Sequence, residues 1–160
     1  MPTFETNHFG TVTIDDDQIL TFPQGVPGFE DLHRWALFHL EDCNELDWLQ
    51  AVDEPSVALL LADPDRLFAN YDVNVEPDDL EPIELSEAAR FGDSPPVVMR
   101  VVLRRDSDTD GFVANLRAPI LFNLENRRGM QLLLNHPHYS AHQRLQVRSK
   151  LDQVLAGFAG

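Results

Sequence analysis

Basic residues are scarce in this sequence. Twelve Lys and Arg face twenty-seven Asp and Glu across 160 residues, a formal charge of −15. A surface of that sign repels phosphates, which argues against direct binding of nucleic acid, while a basic protein partner would be attracted and steered. Cysteine is nearly absent too. Cys43 alone allows no intrachain disulfide and fits a reducing compartment, and its neighbours Glu41, Asp42 and Glu45 disfavour the thiolate a nucleophile needs. No apolar run is long enough to span a bilayer. Residues 1–5, MPTFE, have neither the basic nor the apolar region of a secretion signal. The expected location is the cytoplasm, with no membrane contact.

The motifs of common chemistries are missing as well. There is no GxSxG, no P-loop, no GxGxxG followed by an acid and no HExxH. His136, His138 and His142 are the densest group of metal-ligand types, but a zinc site needs further ligands. The triple aspartate Asp15–Asp17 lacks the spaced acids, glycine and distal glutamate of a calcium loop and reads as a hairpin turn. The expectation is therefore no catalytic residue, no metal and no cofactor. A small-molecule-binding or hydrolytic β-barrel enzyme with carboxylate chemistry is the alternative, though no spacing singles out an acid/base pair.

What the sequence does have is a rigid corner, Phe22-Pro23-Gln24-Gly25-Val26-Pro27-Gly28-Phe29-Glu30-Asp31-Leu32. Its prolines fix φ and remove N–H groups, and its glycines admit φ > 0, so the stretch must turn repeatedly. Phe22, Val26, Phe29 and Leu32 are expected to enter a core, leaving Glu30 and Asp31 outside. The corner serves as a joint between strands, or presents a partner-binding edge.

Around it the pattern is one of strands. Phe4 to His8 alternates as an edge strand, and residues 11–14 and 19–22 read as a hairpin about the aspartates. Residues 35–40, 48–52 and the doubly buried run 57–62 follow, with Glu41 to Asp47 as an acidic connection. Residues 71–75 alternate strictly, and 97–103 form the clearest long strand. Residues 112–116 and 119–123 are expected as two strands bent at Arg117–Pro119, and 130–134 as the last. Between them, Asp72, Glu76, Asp78, Asp79, Glu81, Glu84 and Glu87 occur with no base, either a solvated face or a platform for a basic partner. Val147, Leu151, Val154, Leu155 and Phe158 recur at helical spacing. The expected fold is all-β, a small pseudobarrel or sandwich of about nine or ten short antiparallel strands with short helical turns and a C-terminal helix. Residues 1–139 would be the β domain and 140–160 a helical extension.

Taken in order, the motifs resemble the FliW family. They are the corner Phe22–Glu30, then Trp48-Leu49-Gln50-Ala51-Val52-Asp53-Glu54-Pro55, Ala62-Asp63-Pro64 and Tyr71-Asp72-Val73-Asn74-Val75. Ala114-Asn115-Leu116-Arg117-Ala118-Pro119-Ile120, Asn123 and Arg127-Arg128-Gly129-Met130-Gln131 complete the series. The resemblance spans approximately residues 3 to 139. It implies a non-catalytic β pseudobarrel that chaperones cytoplasmic flagellin. It also implies antagonism of the RNA-binding translational regulator CsrA, with flagellin and CsrA competing for the factor. Among exposed polar groups of the motifs, Glu30, Asp53, Glu54, Asn115, Asn123 and Arg127 are candidate partner contacts. Asp78, Asp79 and Glu81 are candidates for long-range attraction. Asp53 and Asn115, beside prolines, equally suit the satisfaction of turn N–H groups.

Overall fold

The computed structural model describes residues 2–7, 9–40, 43–64, 68, 71, 77–84, 97–106, 111–134 and 139–144, leaving aside the side chains of 39, 40, 43–45 and 77. Strand β1 (Thr3–Thr6) pairs antiparallel with β2 (Gly10–Thr13) as a separate hairpin. Then come β3 (Ile19–Thr21), β4 (Arg34–Leu40), β5 (Cys43–Ala51), β6 (Ala58–Ala62), β7 (Val97–Arg105), β8 (Phe112–Asn123) and β9 (Arg128–Gln131). These lie side by side in the order β8-β7-β6-β5-β4-β3-β9, and β9 pairs again with β8, so the sheet closes into a seven-stranded barrel. Closure leaves no edge within the ring. Every pairing in the ring is antiparallel except the seam, where β3 and β9 run parallel through one bridge, Thr21 to Arg128. A short β10 (Gln143–Arg144) lies on the N-terminal half of β8.

Alternation along the strands separates an inner from an outer apolar set. Trp35 and Leu37 of β4, Leu49 and Ala51 of β5, Leu61 of β6, Val98 and Val102 of β7, and Ile120 and Phe122 of β8 fill the barrel together with Phe22 and Val26 of the corner. The outside is apolar too, and three segments cover it. The β1–β2 hairpin lays Phe4 and Val12 over Ala36 and Phe38. Phe68, Tyr71 and Tyr139 cover Trp48, Leu60, Leu103 and Leu116. A 3-10 helix (Pro77–Ile83) seats Leu80 and Ile83 against Leu121 and Met130. Tyr71 donates its hydroxyl to the Leu116 carbonyl at 2.7 Å, and its burial pushes the phenol well above the ordinary tyrosine range.

The all-β expectation holds, with four differences in detail. Residues 11–14 and 19–22 do not form a hairpin with each other. Gln18 closes a 3-10 turn (Asp16–Gln18) onto Asp15, and that turn carries the chain from the hairpin into the barrel. The expected acidic connection from Glu41 to Asp47 is mostly strand, because β5 begins at Cys43 and the charge of Asp47 is met by Arg100. Residues 112–123 are one strand, not two. Between Arg100↔Ile120 and Val102↔Asn115, two steps on β7 face five on β8. The three extra residues form a bulge, and an odd number reverses which face each later side chain takes. The Asn115 side-chain Oδ1 accepts the N–H groups of Arg117 and Ala118, at 3.1 Å each, which the ladder leaves free. Finally, Phe29 is not inside: it is 37% exposed and rests edge-on against Trp35. Residues 72–75, all but the first of the expected strand at 71–75, lie outside the described residues, as do 145–160 with the expected helix. β10 falls within the segment read as the extension.

Candidate functional site at the barrel closure

The corner sets the closure. Gly25 donates to the Phe22 carbonyl at 2.9 Å across Pro23 and Gln24. Val26 to Phe29 then makes a second turn, with Pro27 at its second position and Gly28 at φ +91 in its third, the arrangement of a type II turn. Phe22 donates its N–H to the His33 carbonyl and accepts from the His33 ring, so the chain leaves the corner directly into β4. Glu30 reaches back to the Gly28 N–H at 3.1 Å, and that bond holds its carboxyl below the usual carboxylate range. It remains exposed.

Beside the corner, where β3 meets β9, lies an open cleft of about 330 Å³ lined by Pro2, Asp16, Ile19, Thr21, Arg34, Asn126 and Arg127. Arg34, on the outward face of β4, is held by Asp53 through two bonds, Nη2 to Oδ1 at 2.5 Å and Nε to Oδ2 at 3.3 Å. The pairing raises the guanidinium's already high pKa. Arg127 ends the β8–β9 turn at φ +57, a left-handed conformation that side chains other than glycine or asparagine seldom adopt. The turn is over-determined: the Asn123 carbonyl accepts from Arg127, and the Arg127 carbonyl accepts from Thr21 at 2.8 Å. Asn126 gives its amide to the carbonyls of Ile83 and Glu84 and accepts from the Arg128 N–H.

The candidate residues are spread over several places. Asp53 and Arg127 come together around the cleft, Asp53 through its hold on Arg34. Glu54 is exposed in the β5–β6 turn, where it accepts the Ser56 hydroxyl at 2.8 Å. Glu30 is on the corner, and Asp78, Asp79 and Glu81 stand exposed on the 3-10 helix, on another part of the surface. Asn115 and Asn123 act inside the fold. Asn123 is 1% exposed, donating to the Ile83 carbonyl at 2.9 Å and accepting from the Glu125 N–H at 3.0 Å.

Other structural residues were not singled out in the sequence. Gln50 is fully buried, its amide surrounded by the carbonyls of Ala51, Glu54, Pro55 and Val57 at 3.1–3.3 Å, and so shapes the turn that presents Asp53 and Glu54. Asp47 and Arg100 form an ion pair at 2.9 Å on inward-facing positions of β5 and β7. A lone Gln or Asp in an otherwise apolar strand was the available signal, because a buried polar group demands a partner. Arg34 carried no comparable sign, and Asp16 was read only as part of the aspartate turn. Among the described residues no group of three or more His, Cys, Asp or Glu is placed to hold a metal. No described helix is long and apolar enough to cross a membrane.

Known proteins share this arrangement. The family model described as FliW protein matches residues 3–145. The flagellar assembly factor FliW of Moorella thermoacetica is 36% identical over 148 residues, covering 92% of this chain and 90% of that protein. That of Carboxydothermus hydrogenoformans is 32% identical over 127 residues, 79% of each chain. A crystal structure of the flagellar assembly factor FliW superposes with a TM-score of 0.78 at 28% identity, covering 92% of this chain and 99% of the other. Family model, relatives and superposed structure each cover most of the chain, and this chain belongs to the FliW family of flagellar assembly factors.

Proposed function

We propose that this protein works in the cytoplasm without catalysing a reaction, binding flagellin as a chaperone and antagonising the translational regulator CsrA. The observation that carries the reading is the family match over residues 3–145, nearly the whole described fold. The surface supports it. An RNA-binding protein presents a basic face to phosphates, and a partner with a formal charge of −15 is attracted to that face. Once docked, it repels incoming RNA even from beside the binding site. Flagellin then competes for the factor, so translation is released only as flagellin is cleared by export. In this reading Glu30, Asp53, Glu54 and Arg127 are exposed contact residues, Asp78, Asp79 and Glu81 provide attraction at a distance, and Asn115 and Asn123 hold the strand and turn that position Arg127.

Calorimetric titration with the cognate flagellin and, separately, the cognate CsrA tests the proposal. Saturable binding of each, with one displacing the other, is the expected result. Binding of flagellin alone would remove the regulatory arm, and binding of neither by folded, active partners would overturn the reading.

A further inference from the structure

We propose that the cleft at the β3–β9 seam binds a free α-amino acid in its zwitterionic form. This inference does not rest on the partner-switch reading, although Arg127 belongs to both. Its lining carries charges of both signs, and they are arranged unequally. Arg34 is already neutralised by Asp53, which takes its Nε and Nη2 and leaves Nη1 without a partner among the described residues. Arg127 and Asp16 line the same cleft, and no ion pair joins them to each other or to any described residue. An open cation and an open anion therefore face one small space.

Such a pair discriminates by charge pattern. A simple anion is drawn to Arg127 but repelled by Asp16, and a simple cation meets the reverse. A zwitterion satisfies both, its carboxylate on Arg127 and the free edge of Arg34, its ammonium on Asp16. The Thr21 hydroxyl adds a polar contact, and Ile19 and Pro2 supply an apolar wall for a side chain. A volume of about 330 Å³ is at the small end for ligand sites, roughly 300–1,000 Å³. It suits one amino acid rather than a nucleotide or a long peptide. Arg127 is also kept in an unfavourable backbone conformation by two neighbours, Asn123 and Thr21. Strain held this way in a surface turn is a common mark of a working position.

The test is a titration of the isotopically labelled full-length chain, followed by amide NMR, with L-alanine, L-leucine, L-glutamate and L-arginine. At least one should give saturable shifts at Asp16, Ile19, Thr21 and Arg127. Acetate and ethylammonium, each carrying half of the charge pattern, should bind at least about tenfold more weakly. Arg127→Gln and Asp16→Asn, at exposed positions whose folding the same spectra report, should each weaken binding about tenfold or more. The proposal is overturned if no amino acid saturates the site by roughly 50 mM, far above a millimolar Kd. It is equally overturned if acetate binds as tightly as L-alanine, or if Asp16→Asn leaves the affinity unchanged.

Discussion

At the scale of single residues, two glycines and one glutamate show how little space the corner leaves. A Cβ on Gly25 would lie 2.6 Å from the Glu30 Cα, at a backbone φ of +67 that side chains avoid. On Gly129 it would meet the Phe22 ring at 2.5 Å, and Phe22 is fully buried between Trp35 and Phe122. Gly129→Ala should therefore destabilise the protein by about 1–3 kcal/mol in urea unfolding, the usual cost of overfilling a packed core. Adding Phe22→Leu should recover part of that loss, since the two sites share one contact. Glu30 makes a pH prediction. Its carboxyl titrates below its ordinary value of 4.5 because it accepts the Gly28 N–H. The folded state thus favours the ionised form, and the resulting stability is present above that value and lost as pH falls through the folded one. Glu30→Gln should flatten the acid limb of a stability–pH curve, with no change near neutrality in its slope.

At the scale of elements, the decisive features are β8 and the turn that follows it. A bulge of odd length reverses the alternation halfway along β8, so Ala114 and Leu116 face outward while Ile120 and Phe122 face inward. Read without the bulge, the same residues look like two strands. Pro119 lends itself to that reading, although its carbonyl still accepts from Leu132. Asn123 then ties the end of β8 to the 3-10 helix. Asn123→Ala would leave the Ile83 carbonyl with Asn126 as its remaining side-chain donor and the Glu125 N–H without its acceptor, and a loss of about 1–2 kcal/mol is expected by chemical denaturation. Arg127 should show the effect locally, as faster amide exchange in the turn.

For the molecule as a whole, two electrostatic arrangements operate at different ranges. Inside, Asp47 and Arg100 pair across the barrel, Asp47 only 3% exposed. Asp47→Ala should lose about 3 kcal/mol or somewhat less, because Arg100 is partly exposed and water relieves its lone charge. Asp47→Leu combined with Arg100→Met should return close to the starting stability, both measured by thermal and urea unfolding. Outside, acids outnumber bases more than two to one. Under the proposed function, changing Asp78→Asn, Asp79→Asn and Glu81→Gln together should slow association with CsrA at low salt and flatten its salt dependence, leaving the dissociation rate nearly unchanged. Stopped-flow association at several ionic strengths measures this, and an unaltered on-rate at low salt would remove those acids from any steering role.

The sequence by itself determined the strand-rich class, the corner and the acidic surface. Each of these follows from local chemistry: alternation, proline and glycine geometry, and the count of charges. Only the tertiary structure decided that the sheet closes, that β2 pairs with β1 rather than β3, and that Asn123 and Gln50 are buried supports. It also placed Asp16, Arg34 and Arg127 around one cleft. Those residues stand 18 and 93 positions apart along the chain, and they meet because β3 reaches across to β9 at a single parallel bridge. No local pattern encodes such a pairing. It arises when a twisted sheet covered on its outer face has no stable way to leave its last two edges open.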